Sequence, residues 1–273
     1  MIMAHDAASG EIVEERDFVL ADWTKTQDVG LVGQLDCGTR SFDYRPYNDD
    51  GTIIAHHGGV KIHKTMESSL SEITDWNSKN PEDLVVLYIS HFDGDDGGEE
   101  AVTSLLDSYK VPYVKDCSQL NTVTYSEAQT MGTRSTGGSL IAIFECTEEY
   151  YDENINCYGK DFTWYDSWPE NTTAIPWADL NNYIAKTTSS DPTVSSPNMW
   201  MTQAHWQSSA ASISLGTLHR SSIVKDEKLS GVNVAMEKQI LAGQMKYLNF
   251  LELDNVCDNG LEVYKAIKSY YLS

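Results

Sequence analysis

The residues best suited to move protons in this 273-residue chain sit at the ends of short apolar runs. His5-Asp6 closes MIMAH, Asp43 and Arg45 lie in RSFDYRP, and His56-His57 closes TIIAHH. Ser90-His91 closes DLVVLYISH, Glu145 ends SLIAIFE, and Glu252 and Asp254 lie in YLNFLELDN. Two histidines on nearby strand ends, with an arginine between them in sequence and aspartates to orient them, can act on both ends of a phosphodiester. One imidazole takes a proton from an attacking hydroxyl, the other gives one to the leaving oxygen, and a guanidinium holds the charge that develops. His63, His205 and His219 stand alone and read as structural or surface residues.

The elements that must position these groups follow from periodicity. Apolar strand patterns occur at 1–5, 40–46, 52–57, 83–91, 139–145, 198–206 and 247–255, with a weak one at 162–168. Helical patterns alternate with them: SSLSEITDWNSKN, EEAVTSLLDSYK, WADLNNYIAK, VNVAMEKQILAGQM and LEVYKAIKSYY. About eight strands with recurrent helices predict an α/β fold, an irregular (β/α)8 TIM barrel forming a single domain over 1–273, with its chemistry at the C-terminal strand ends. In RSFDYRP, alternation puts Ser41, Asp43 and Arg45 on one face, toward the barrel axis, and Phe42 and Tyr44 on the other. In TIIAHH it separates His56 from His57 without saying which faces the site.

Composition narrows the partners. Forty-one acidic residues oppose 19 basic ones, for a net charge of -22. That balance disfavours nucleic acid and electrostatic attraction to an anionic membrane, so any bilayer docking would rest on apolar contacts. Trp23, Trp206 and the aromatics from Trp164 to Trp168 are candidates for such contacts, although scattered aromatics more often belong to a core. No stretch approaches a membrane span, and MIMAHDAASG lacks a basic region followed by a long apolar segment. The five cysteines form no CxxC pair; Cys146 and Cys157 bracket TEEYYDENIN and could close it in an oxidising compartment. The sequon Asn171-Thr172-Thr173 leans toward the same setting.

MAHDAAS, GTRSFDYRP and IIAHHGG, in that order and at those spacings, resemble the catalytic X-region of bacterial-type, metal-independent phosphatidylinositol-specific phospholipases C, and the likeness continues through WNSKNPEDLVVLYIS to NFLELDNVC. The resemblance implies an incompletely closed (β/α)8 barrel. It implies that His5 is the general base toward the inositol 2-hydroxyl and that His57, next to Gly58, is the general acid toward the departing lipid oxygen. Arg45 would contact the phosphate, Asp6 would support the acid, and Asp254 would orient the base. Asp43 is the remaining acid of its motif. Calcium-dependent relatives carry an acid at the position of Arg45 and an asparagine at that of Asp6, so neither a metal nor a cofactor is expected. Bacterial enzymes carry basic side chains where this chain offers Ser90 or His91 and Glu145, and an Asp-x-aromatic pair that contacts inositol matches Asp166 and Trp168. The implied protein is a secreted, monomeric enzyme meeting its phospholipid at a membrane surface by peripheral contact. It would cleave phosphatidylinositol or glycosylated anchors to cyclic inositol phosphate and diacylglycerol. Two alternatives stand beside this: a phosphodiesterase for another lipid or sugar phosphodiester, and an inactive lipid- or carbohydrate-binding barrel.

Overall fold

The computed structural model describes residues 1–12, 21–120, 122–144, 164–165, 177–189 and 201–271. In chain order the strands are β1 (Ile2–Ala4), β2 (Ser41–Tyr44), β3 (Pro46–Asp49), β4 (Thr52–His57), β5 (Val60–Thr65), β6 (Leu84–Ile89) and β7 (Asp93–Gly94). They continue as β8 (Tyr113–Val114), β9 (Ser139–Phe144), β10 (Trp164–Tyr165), β11 (Met201–Gln203), β12 (Gln207–Ser208) and β13 (Phe250–Leu253). Seven of them form an all-parallel sheet in the order β11-β13-β1-β2-β6-β9-β8. Among the described residues no ladder joins β8 to β11.

Period-two alternation divides the strand side chains between two apolar clusters. Ile2, Ala4, Phe42, Tyr44, Val85, Leu87, Ile89, Leu251 and Leu253 pack in the larger cluster with helical residues such as Leu70, Ile73 and Val263. Met3, Val86, Tyr88, Ile141, Ile143, Met201 and Phe250 form the smaller one on the opposite face. That second face also carries Asp43 and Glu252, and continued past the strand ends it reaches His5, Ser90, His205 and Asp254. The expected split of RSFDYRP holds: Tyr44 reaches Ser69 of the helix Met66–Lys79, and Asp43 lies on the other side.

That helix shows how the outer layer is specified. Met66, Ser69, Leu70, Ile73, Thr74 and Asn77 recur at helical spacing and are buried, while the Thr65 hydroxyl caps the first turn by accepting from Ser68 N. The other four expected helices also form, as Gly98–Ser108, Trp177–Thr188, Val232–Leu241 and Gly260–Tyr271.

Two strand assignments are corrected: β10, inside the weak strand expected at 162–168, pairs with β12 outside the seven-stranded sheet, and TIIAHH is the second. TIIAHH is not a barrel strand; β4 lies inside a separate sheet of order β5-β4-β3-β7, antiparallel to both β3 and β5. The cause is turn chemistry. Asp49 pairs with Thr52 across Asp50-Gly51, both at positive φ, and His57 pairs with Val60 across Gly58-Gly59. Two-residue turns of this kind fold a chain straight back on itself, whereas a parallel neighbour needs a long crossover. The barrel place after β2 goes to β6 instead.

Cys37 and Cys257 form a disulfide across 220 residues of sequence, with Cα atoms 5.0 Å apart. Spacing offered no cue to it, because the two meet only where β13 returns beside β1. Cys146 and Cys157 lie outside the described residues. Among the described residues no helix is long and apolar enough to cross a membrane. Trp206 is buried and packs edge-on against Trp177, which removes it from the candidate bilayer contacts.

Candidate active site

The end of β1 is clamped before its side chains act. The His5 carbonyl accepts from Thr26 Oγ1 at 2.8 Å and from Gln27 Nε2 at 3.1 Å. Gln27 Nε2 also donates to the Leu253 carbonyl, and Gln27 Oε1 accepts from Val256 N. Thr26 and Gln27 therefore tie the ends of β1 and β13 together. Asp6 then adopts a left-handed conformation at φ 43°, as do His91 after β6 and Asn255 after β13, both next to site residues. Left-handed non-glycine residues are uncommon and concentrate where a chain must be turned sharply at a functional site.

The side chains converge on one carboxylate. Asp6 Oδ2 lies 3.1 Å from His5 Nε2 and 3.1 Å from His57 Nε2. Its other oxygen, Oδ1, lies 2.8 Å from Arg45 Nη1. The Arg45 fork also donates to Asp43 Oδ2, from Nη2 at 2.9 Å and Nε at 3.1 Å, and the same oxygen accepts from Asp6 N. Ser90 Oγ donates to Asp43 Oδ1 at 3.2 Å. The planar guanidinium fork is geometrically specific, and here it aligns Asp43 and Asp6 together.

Each histidine is oriented from its far edge. His5 Nδ1 meets Asp254 Oδ1 at 2.8 Å, and His57 Nδ1 meets the Thr24 carbonyl at 2.6 Å. A carbonyl only accepts, so His57 carries its hydrogen on Nδ1 toward Thr24 whenever it is neutral. The two rings stand edge to face with centroids 6.3 Å apart. His56 points elsewhere: its nitrogens meet the carbonyls of Gly58 and His91, at 2.9 and 2.7 Å, making it a brace for the hairpin.

Electrostatics follow from this packing. Burial alone would lower the proton affinity of His5, but the charges of Asp6, Asp254 and Glu252 overcome it and raise its pKa to about 10. Burial pushes Asp6 upward, yet Arg45, His5 and His57 outweigh it and hold the carboxyl well below the usual range. Two donor trios, His5–His205–Asp254 and His5–Asp6–Asp43, bring their atoms within 4.8 Å of one another. These donors are already engaged: Arg45 stands against Asp6 and Asp43, and His5 and Asp254 share a hydrogen bond.

His5, Asp6, Asp43, Arg45, His57, Ser90 and Asp254 are thus brought together. Glu145, Asp166 and Trp168 lie outside the described residues. Sequence reading missed Thr24, whose contribution is a backbone carbonyl and leaves no trace in residue type. It also set aside His205, which stacks on His5. The available signal was its place on the inward face of the strand pattern, two residues beyond Gln203.

Comparison with known proteins gives a consistent picture. No family model matches the chain. It is 25% identical over 185 residues to the 1-phosphatidylinositol phosphodiesterases of two Staphylococcus aureus strains, Newman and NCTC 8325. The alignments cover 67% of this chain and 53% and 51% of theirs, so the match spans about half the length of these curated relatives. A mutant of the phosphatidylinositol-specific phospholipase C from Staphylococcus aureus superposes with a TM-score of 0.63 at 18% identity, covering 97% of this chain and 90% of that one. The corresponding enzyme from Listeria monocytogenes gives 0.58 at 16% identity, covering 97% and 92%. The fold is that of the bacterial phosphatidylinositol-specific phospholipases C.

Proposed function

From that shared fold, we propose that this protein is a metal-independent phospholipase C that cleaves phosphatidylinositol by attack of the substrate's own 2-hydroxyl on phosphorus. The observation that carries the reading is the convergence of both histidine Nε2 atoms and the Arg45 guanidinium on Asp6. His5 accepts the hydroxyl proton as the new P–O bond forms. His57 gives its proton to the lipid oxygen as the old P–O bond breaks, releasing diacylglycerol and the 1,2-cyclic phosphate. Arg45 supplies fixed positive charge for the phosphoryl oxygens and, held on Asp43, takes the place a cation would serve. One turnover leaves the proton on His5 and takes one from His57. Asp6 Oδ2 touches both rings and offers a path for that proton back to His57.

The proposed substrate contacts extend to Asp43 and Ser90; Glu145, Asp166 and Trp168 are the further headgroup contacts expected from the sequence. The phospholipid is met by peripheral contact. The helix Ala210–Leu218 has no charged residue and exposes Leu215 and Leu218, an apolar face in a strongly acidic chain. Solved structures of the Staphylococcus aureus enzyme address its membrane binding. The Cys37–Cys257 bridge suits a secreted monomer in an oxidising compartment.

Phosphorus NMR of products from phosphatidylinositol vesicles tests the reaction. A cyclic phosphate signal, unchanged by chelator, is expected; intact lipid, or activity abolished by chelator and restored by a divalent cation, refutes it. A second reading rests on Ser90, whose hydroxyl is turned to Asp43 and offers no cation to a headgroup. Cleavage of a chromogenic phosphodiester without cleavage of phosphatidylinositol would select this second reading.

A further inference from the structure

The face of the His5 ring rests on a second histidine–carboxylate pair that the proposed reaction does not use. His205 stacks on His5 with centroids 4.2 Å apart and planes 16° from parallel. Its Nε2 meets Glu252 Oε2 at 3.3 Å, and its Nδ1 lies 3.9 Å from Asp254 Oδ2, on the carboxylate whose other oxygen holds His5. Glu252 pairs in register with Met3 on one side and Gln203 on the other, so it lies on the inward face one layer beneath His5, His205 and Asp254.

Such burial is expensive. Glu252 is fully buried, and its Oε1 has no hydrogen-bond partner among the described residues; neither has Nδ1 of the buried His205. A buried carboxylate and imidazole without full compensation oppose folding, and such groups concentrate at sites where they serve function. The surroundings also keep His205 from drifting. Glu227 Oε1 accepts from Trp206 N at 2.7 Å and Trp206 Nε1 donates to Ser230 Oγ at 2.8 Å, fixing the adjacent backbone to the helix Ile223–Ser230.

We propose that His205 and Glu252 are positioning residues for the His5 base: the stacked ring sets the plane in which His5 presents Nε2, and Glu252 stabilises the imidazolium formed when the proton is taken. The catalytic part of this rests on the proposed reaction. Every element around His5 contributes a charged or titratable group: Asp6 beside it, Asp43 from β2, Arg45 between β2 and β3, His57 from β4, Glu252 and Asp254 from β13, His205 beyond β11 and Glu227 from its helix. Burial and the Asp254 charge push Glu227 well above the usual carboxylate range, so it adds little negative charge. Burial opposes ionisation of Glu252, yet His5 and His205 hold it below that range, leaving it as a charged partner.

Histidine ring NMR of the whole substrate-free protein tests the pair, with the His5 signal assigned by its loss in His5→Asn. Glu252→Gln keeps the shape and removes the charge, and should lower the His5 midpoint by about one pH unit. The acid limb of kcat/KM should move the same way, with kcat down about tenfold while KM holds within about twofold. An unchanged midpoint in folded Glu252→Gln overturns the proposal, as does loss of activity that simply tracks loss of fold. If Glu252→Gln fails to fold, His205→Gln replaces it: it keeps a donor toward Glu252 and removes the ring. A kcat loss at constant KM is expected there, and parental kcat overturns the proposal. Because the titration needs no substrate, a lowered midpoint in a protein that leaves phosphatidylinositol intact would uphold the electrostatic pairing and reject only the reaction.

Discussion

The two histidines reach the same carboxylate oxygen from unlike surroundings. His5 rises from the parallel sheet, its side chain 10% exposed, with Asp254 and Asp6 on its edges and His205 on its face. His57 hangs from an antiparallel hairpin, its side chain 24% exposed, with one backbone carbonyl on its far edge. Asp6, Asp254 and Glu252 raise the proton affinity of His5, whereas the far edge of His57 is oriented by a neutral carbonyl. The asymmetry suits a base that must hold a proton once taken and an acid that must reach a leaving group near solvent.

Removing either ring breaks the comparison outright. His5→Ala and His57→Ala should each lower kcat by roughly 10²–10⁴ in a vesicle assay, the usual worth of one proton-transfer group. Retention of activity in either variant would contradict the assigned roles. Arg45→Lys should come next, with kcat down by about 10²–10³, because a point charge cannot hold Asp6 and Asp43 together as the fork does. A nearly parental rate would mean that charge alone suffices.

The sheet side should also leave a mark on stability. His5 has a raised pKa in the folded state, so its contribution is fully present below 6.5 and is lost as pH climbs toward about 10. Asp6 has a lowered one, so its contribution is present above the ordinary carboxylate range and is lost as pH falls through its depressed value. Tm should therefore decline between pH 6.5 and 10, and His5→Asn should flatten that decline; an equally steep slope in the variant would place its source elsewhere. Replacing Cys37 and Cys257 together by serine should lower stability by about 2–4 kcal/mol while sparing kcat per folded molecule, measured by denaturant unfolding beside the rate assay. The smallest effect belongs to His56→Ala. It loses the hydrogen bonds to Gly58 and His91 and should destabilise by about 1–3 kcal/mol, with kcat reduced only a few-fold.

Legibility also differed between the two sides. The inward face of RSFDYRP could be read by alternation, and Asp43 lies where that pattern put it, whereas Asp254 was singled out only by the resemblance. The hairpin was misread because TIIAHH has the composition of a buried strand, and composition does not tell a parallel strand from an antiparallel one. The turn residues Asp50-Gly51 and Gly58-Gly59 held that information and mattered more than the apolar run between them. His205 was set aside for a different reason: its place on the inward face was legible, but a lone histidine does not name its partner, and the ring it stacks on is 200 residues away.

By itself the amino-acid order determined the alternating strands and helices, the candidate proton-transfer residues and, through three ordered motifs, the protein's resemblances. Those features are local, since side-chain type and periodicity act over a few residues. Only the tertiary structure decided that Asp6 is shared by both rings, that Cys37 meets Cys257, and that His205 and Glu252 stand beside His5. Each of these depends on β1, β4, β11 and β13 converging, and contacts between distant segments arise from the packing of whole elements.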